Sequence, residues 1–232
     1  MANAQLRDVN IQVGYLPNHP ASVLYHSGNT IVLCAASIEE SVPPWMTGSG
    51  RGWVTAEYNM LPGSTQPRKK RDRSGKVDGR TTEIQRLIGR SLRAIVDLEA
   101  LGERSVTVDC DVLQADGGTR TASITGGFVA LALAIRSVMP DSKIGQGPLR
   151  DSVAAISVGV IEDKCHLDLD YKLDFAADVD MNVVMTGSGQ YVEIQGTGEE
   201  ATFNDDQLAQ LLSLAKSGIA DLTKFQIEAI NS

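Results

Sequence analysis

The sequence predicts a layered fold of the α/β or α+β class, not a strictly alternating parallel sheet. In each half of the chain strand-like runs come first and helix-like runs follow. Between the halves, residues 141–150 carry Gly145, Gly147 and Pro148, the composition of a connector. The 232 residues suffice for a full core, as one large domain or as two intimate halves. Both halves run from hairpins into helices, without a strong sequence repeat.

Leu6 to Val13 reads as a strand. Ser22–His26 and Thr30–Ser37 flank Ser27-Gly28-Asn29, a hairpin signal. Glu39 to Gly52 is loop-like, with Pro43 and Pro44, and Trp53–Leu61 reads as a further strand. Thr82 to Leu98 is a helix with one apolar face, marked by Ile84, Leu87, Ile88, Leu92, Ile95 and Leu98 at spacings of three and four. Arg80 falls just before its start. Over 105–114, Val106, Val108, Cys110 and Val112 alternate with polar residues, the period of a half-buried strand. A second helix runs from about Thr121 to Met139; it is apolar on nearly all sides from Ile124 to Ile135, so it should be buried.

In the second half, Val153–Ile161 and Cys165–Asp170 form a hairpin around residues 162–164. Met181–Thr186 and Tyr191–Gln195 are strands joined at Gly187-Ser188-Gly189. Asn204 with Gln207 resembles a capping box, and a long amphipathic helix follows through Leu208, Leu211, Leu212, Ala215, Ile219, Leu222 and Phe225.

Composition excludes little by itself. Apolar content of 42% and charged content of 22% are ordinary for a soluble protein. No apolar run of transmembrane length and no signal-peptide pattern is read, so a cytoplasmic location with no membrane partner is the expectation. Cys34, Cys110 and Cys165 are odd in number, far apart and set in strand-like stretches, which favours buried thiols over disulfides or a metal site. His19, His26 and His166 stand alone, with no Ser-His-Asp or zinc pattern.

A net charge of −8 argues mildly against a nucleic-acid binder, but the charge is patterned. Arg68, Lys69, Lys70, Arg71, Arg73, Lys76 and Arg80 place a third of the 21 basic residues within 13 positions, against Asp72 and Asp78 only. The block lacks apolar periodicity and contains Gly75 and Gly79, so it reads as an exposed loop. Such loops are usually just solvated; contact with a phosphate backbone is the functional alternative.

Chemistry concentrates in 116–123. Asp116, Gly117 and Gly118 end the central strand with turn chemistry, and Thr119, Arg120, Thr121 and Ser123 stand at the mouth of the buried helix. Free N–H groups and the positive end of the helix dipole make such a place an anion site. Arg120 can grip two oxygens at once, and the hydroxyls can donate. The alternative is a capped helix after a tight turn, which explains Thr and Gly but not an Arg among hydroxyls. There is no Gly-Lys-Ser/Thr, so this is not a Walker loop. A second cluster, Asp174, Asp178 and Asp180, shares one face if the segment is extended. Carboxylates so placed suit a hard cation such as Mg²⁺, or general acid–base work; a solvated turn is the alternative. Together the anion cradle, the carboxylates and the arginine loop point to phosphoryl chemistry, which relies on positioning and charge neutralisation and needs no catalytic His or Cys.

Four stretches resemble bacterial ribonuclease PH: Gly52-Trp-Val-Thr-Ala-Glu-Tyr58, Gly79-Arg80-Thr-Thr-Glu-Ile-Gln-Arg-Leu-Ile-Gly-Arg-Ser-Leu-Arg93, Asp109-Cys-Asp-Val-Leu-Gln-Ala-Asp-Gly-Gly-Thr-Arg-Thr-Ala-Ser123 and Asp180-Met-Asn-Val-Val-Met185. The resemblance spans nearly the whole chain. It implies an α+β fold of two packed β–α halves, with mixed sheets and flanking helices. Residues 1–140 would form the half with the basic loop and phosphate cradle, and 141–232 the half with the acidic site. The implied activity is phosphate-dependent 3′→5′ exoribonuclease, or tRNA nucleotidyltransferase, trimming tRNA precursors and other RNAs with release of nucleoside diphosphates. Two departures stand outside the inferred site: only five residues precede Leu6, and Asp8 occupies a position where the family usually has Pro.

Carried over by the resemblance, Arg80, Gly118, Thr119 and Arg120 hold the attacking inorganic phosphate, with Thr121 and Ser123 nearby. Asp174 and Asp180 are the catalytic and Mg²⁺-binding carboxylates, and Asp178 receives no role. Asp180 is also a candidate to protonate the leaving 3′ oxygen. Arg68, Arg71 and Arg73 are the loop arginines that engage RNA. The implied assembly is a homo-hexamer, a trimer of dimers. The competing reading is a non-catalytic RNA-binding ring subunit; Arg80, Arg120, Asp174 and Asp180 argue against it.

Overall fold

The computed structural model describes residues 4–71, 78–198 and 201–232. In chain order the elements are β1 (Val9–Val13), β2 (Ser22–Ser27), β3 (Thr30–Glu39), β4 (Trp53–Met60), α1 (Gly79–Ala94), α2 (Leu98–Leu101), β5 (Ser105–Gln114) and α3 (Thr119–Val138). The second half adds β6 (Val153–Ile161), β7 (Lys164–Leu167), α4 (Tyr171–Phe175), β8 (Val179–Thr186), β9 (Tyr191–Gly198) and α5 (Asp205–Asn231). The first sheet is mixed, in the order β1-β2-β3-β5-β4, with β4 and β5 parallel and the other pairs antiparallel. The second sheet, β7-β6-β8-β9, is antiparallel throughout. This is the α+β architecture expected from the resemblance.

The alternating strand at 105–114 lies inside the first sheet, paired on both sides, with Val106, Val108, Cys110 and Val112 all at most 1% exposed. Cys110 sits opposite Cys34, and all three cysteines are free and buried. Helix α3 packs against this sheet, and Gly126 permits the approach: a Cβ there would lie 2.9 Å from Tyr25 Cβ and 3.1 Å from Cys34 Sγ. By length and composition α3 could also cross a membrane, against the expectation that no such run exists, but 78% of its apolar window is buried inside the fold. Strand β6 serves two cores by its period of two: Val153 and Ala155 join the α3 core, while Ala154, Ile156 and Val158 join the core under α5. Gln226 on α5, fully buried, links the halves by donating to the carbonyls of Thr125 on α3 and Val153 on β6, at 2.9 Å each. The predicted capping box at Asn204 and Gln207 opens α5.

Three local expectations are corrected. The helix expected over 82–98 begins earlier, at Gly79, because Asp78 caps it by accepting from Thr81 N at 2.6 Å; Arg80 therefore stands in its first turn. It also ends earlier, at Ala94. There Asp97 N donates to Pro148 O and Val96 bridges Leu149, while the Asp97 carboxylate caps α2. The strand expected through Asp170 stops at Leu167, and Asp168 takes a left-handed φ of 56°. The acidic segment is not extended. Asp170 accepts from Leu173 N at 2.9 Å and starts α4, so Asp174 is helical and does not follow the even strand spacing to Asp180.

Candidate active site

The site starts from the turn that joins β5 to α3. Gly117 (φ 75°) and Gly118 (φ 64°) are both left-handed. Gly117 also lies against the other half of the chain: a Cβ there would be 2.5 Å from Leu169 O and 2.8 Å from Tyr171 N. The turn is held on several sides. The Thr30 hydroxyl donates to Gly117 O at 2.7 Å and accepts from Asp116 N at 3.0 Å. Arg7 Nη1 donates to Asp116 O at 2.7 Å, and the Asp116 carboxylate accepts from Asn29 Nδ2 and Tyr171 N. Gly118, the N-cap of α3, has no side chain to cap it, and among the described residues no side-chain cap bond is made there, which suits the first-turn N–H groups to an anion.

This turn forms one wall of a cleft of about 900 Å³. Gly118, Thr119 and Arg120 line it with Arg80 from α1, Asp174 from α4 and Asp180 from β8. Lys69, Ser157, Tyr171 and Asn182 complete the part relevant to chemistry. Arg80, Arg120 and the helix N–H groups thus come from the first half, together with Asp78 and Asp116, and the carboxylates of Asp174 and Asp180 from the second. Another cavity of about 890 Å³, between residues 4–10 and α5, contains none of the predicted site residues.

Arg120 is fixed across the cleft wall. Its Nη1 lies 3.2 Å from Gln195 Oε1 and 3.4 Å from Glu83 Oε1. Gln195 is in turn held by Glu193, which takes a two-pronged bond from Arg90 at 2.6 and 2.8 Å. The Thr119 hydroxyl is 3.0 Å from the hydroxyl of Tyr58, a phenol whose pKa burial pushes up. Asp78, which positions the start of α1, has its carboxyl held down to about 2, first by the Thr81 N–H and next by Lys69. Asn182 Nδ2 makes a long contact of 3.5 Å to Asp180 Oδ2.

Other predicted residues lie outside the cleft lining. Thr121 and Ser123 turn their hydroxyls into α3, donating at 2.8 Å to Gly118 O and Thr119 O. Asp178 accepts from Glu162 N at 3.2 Å. Arg68 and Arg71 flank Lys69, whose ammonium is 2.9 Å from Asp78. Arg73 lies outside the described residues. Arg7, Asp116, Ser157, Tyr171 and Gln195 were not singled out by sequence reasoning; only the Asp-Gly-Gly turn signal touched one of them.

Among the described residues there is no group of three or more His, Cys, Asp or Glu side chains able to hold a metal. A pair of carboxylates facing an anion site still fits Mg²⁺, which keeps several waters and takes one or two protein carboxylates with the rest supplied by substrate phosphate.

Comparison with known proteins gives the same answer in both halves. Residues 5–136 match domain 1 of the 3′ exoribonuclease family, and residues 151–218 match domain 2. The chain is 73% identical over 227 residues to ribonuclease PH of Rhodopirellula baltica, covering 96% of this chain and 92% of that one. It is 58% identical over 229 residues to ribonuclease PH of Bacillus mycoides, covering 98% and 94%. Among solved structures it resembles rice Rrp46 (TM-score 0.79, 16% identity, 99% and 98% covered). It also resembles the RNA-bound exosome of Archaeoglobus fulgidus (TM-score 0.78, 19% identity, 95% and 89% covered). The chain belongs to the 3′ exoribonuclease family, in its ribonuclease PH group.

Proposed function

We propose that the family's reaction, phosphorolytic shortening of RNA from its 3′ end with release of nucleoside diphosphates, takes place in the cleft at Gly118. The observation that carries this is the convergence of Arg80, the uncapped start of α3, Arg120, Asp174 and Asp180 on one cleft built from both halves. Inorganic phosphate is held by the first-turn N–H groups at Gly118, Thr119 and Arg120 and by the guanidinium groups of Arg80 and Arg120. Thr121 and Ser123 support that turn through their bonds to Gly118 O and Thr119 O. A phosphate oxygen attacks the terminal phosphorus in line, and the 3′ oxygen of the shortened RNA leaves. Because the product keeps a phosphoanhydride bond, the reaction also runs in reverse.

Asp174 and Asp180 would hold Mg²⁺, which when bound neutralises charge on the phosphoryl oxygens. If Asp174 alone held the cation, Asp180 would instead pass the proton of the attacking hydrogen phosphate to the leaving 3′ oxygen. Arg68, Arg71 and Arg73 contact the RNA backbone leading to the cleft, with tRNA precursors and other RNA 3′ ends as substrates. We place the division between the halves in the connector 141–150. We further propose a cytoplasmic homo-hexamer arranged as a trimer of dimers.

The test is Asp180→Asn. Turnover should fall by about 10² or more while RNA binding survives. A variant that keeps full turnover would remove Asp180 from the chemistry, and one that loses RNA binding would make the carboxylate structural.

A further inference from the structure

Helix α4 presents two exposed aromatic rings that the fold does not use. Phe175 is 82% exposed and Tyr171 58% exposed, and no residue of α4 is buried. They stand four residues apart, on one helical face, with ring centroids 6.3 Å apart and planes tilted by 30°. Their place is specific. Tyr171 lines the cleft, Asp174 from the same turn lines it too, and Phe175, next in the chain, has its ring beside that of Tyr171. The helix is also fixed against the phosphate turn: Tyr171 N donates to Asp116 Oδ1 at 3.3 Å, and Gly117 lies against the 170–171 backbone.

We infer that Tyr171 and Phe175 form a stacking platform for the bases at the 3′ end of the RNA, Tyr171 at the cleft and Phe175 at its mouth. Electrostatics decides which part of the RNA each wall receives. Beside α4, Asp170 and Asp178 outweigh Lys172, and the exposed aromatic faces give a phosphate no donor, so this wall suits bases. Lys69, paired with Asp78, lines the same cleft, and Arg68, Lys70 and Arg71 beside it in the chain suit the backbone. Stacking is tolerant of base identity because every base has a π face, as an enzyme that trims RNA ends of differing sequence needs. The inference rests on the reading of the cleft as an RNA 3′-end site.

The experiment compares the wild-type protein with Phe175→Leu and Phe175→Trp, using a 3′-labelled oligoribonucleotide and its counterpart abasic at the last two nucleotides. With the normal RNA, Phe175→Leu should raise KM for RNA about tenfold, with kcat and KM for phosphate unchanged, and Phe175→Trp should restore the wild-type value. With the abasic RNA the three proteins should have equal KM. An equal penalty on both RNAs, no penalty at all, or a shift to a smaller species on gel filtration would overturn the platform, the last assigning Phe175 to a contact between copies of the chain. Direct RNA binding is measured in parallel. A wild-type protein that binds normal RNA more tightly than abasic RNA but turns over without phosphate would instead defeat the phosphorolytic reading and leave the platform standing.

Discussion

Arg7 and Asp168, 161 residues apart, form a buried ion pair in which Arg7 Nη2 lies 2.7 Å from Asp168 Oδ1 and Arg7 N donates to Asp168 Oδ2 at 2.9 Å. Their side chains are 15% and 2% exposed. Ser27 Oγ adds a bond to the same carboxylate at 3.3 Å. The other arm of Arg7 holds Asp116 O, one residue before the glycine pair. Through Arg7, the pair therefore ties the Asp116–Gly118 turn to Asp168 of the second half. Removing the carboxylate leaves the part-buried Arg7 guanidinium with the Asp116 carbonyl but no counter-charge, so Asp168→Asn should cost about 3 kcal/mol in urea unfolding. It should also raise KM for phosphate more than KM for RNA, which steady-state kinetics on the folded fraction would show.

Gly117 should tolerate no side chain. Its φ of 75° disfavours any L residue, and a Cβ would meet the backbone at Leu169, Asp170 and Tyr171, which has no flexible end to move. Gly117→Ala should cost roughly 2 kcal/mol or more and push α4 away from α3. Activity should fall much further than stability, because Asp174 rides on α4. Thermal unfolding and turnover measured on the same preparation would separate the two losses.

Asp78 sets the start of α1 and with it Arg80. Asp78→Ala should cost about 1 kcal/mol, the usual worth of such a cap, and weaken phosphate binding. The pH dependence has a definite sign. The carboxyl lies below its ordinary value in the folded protein, down to about 2, so its contribution is complete above the ordinary carboxylate pKa of about 4 and disappears as pH falls from there towards 2. The stability gap between wild type and variant should close over that window.

The elements carried by local pattern were legible in the sequence: the alternating strand at 105–114, the apolar face of α1, the buried run of α3 and the capping box of α5. So was the gathering of polar groups around Arg120, since a turn followed by an apolar helix defines its own N-terminus. What was not legible depends on groups distant in sequence. The side chain of Arg120 is set by Gln195, 75 positions away, and the turn before it by Arg7, more than a hundred positions earlier. The helical state of Asp174 follows from the cap at Asp170, and Tyr171 N from that same turn also donates to Asp116, a tertiary partner that strand spacing does not register. Thr121 and Ser123 illustrate the opposite case: a hydroxyl near a helix start has nearby carbonyls of its own, and here it uses them.

The most direct test of the central claim is the product released from a 3′-labelled RNA with Mg²⁺, with and without inorganic phosphate. Nucleoside diphosphate formed only when phosphate is present is the predicted result, because the proposed nucleophile is inorganic phosphate bound at Gly118, Thr119 and Arg120. Nucleoside monophosphate formed without phosphate would mean that water attacks, and would contradict the account.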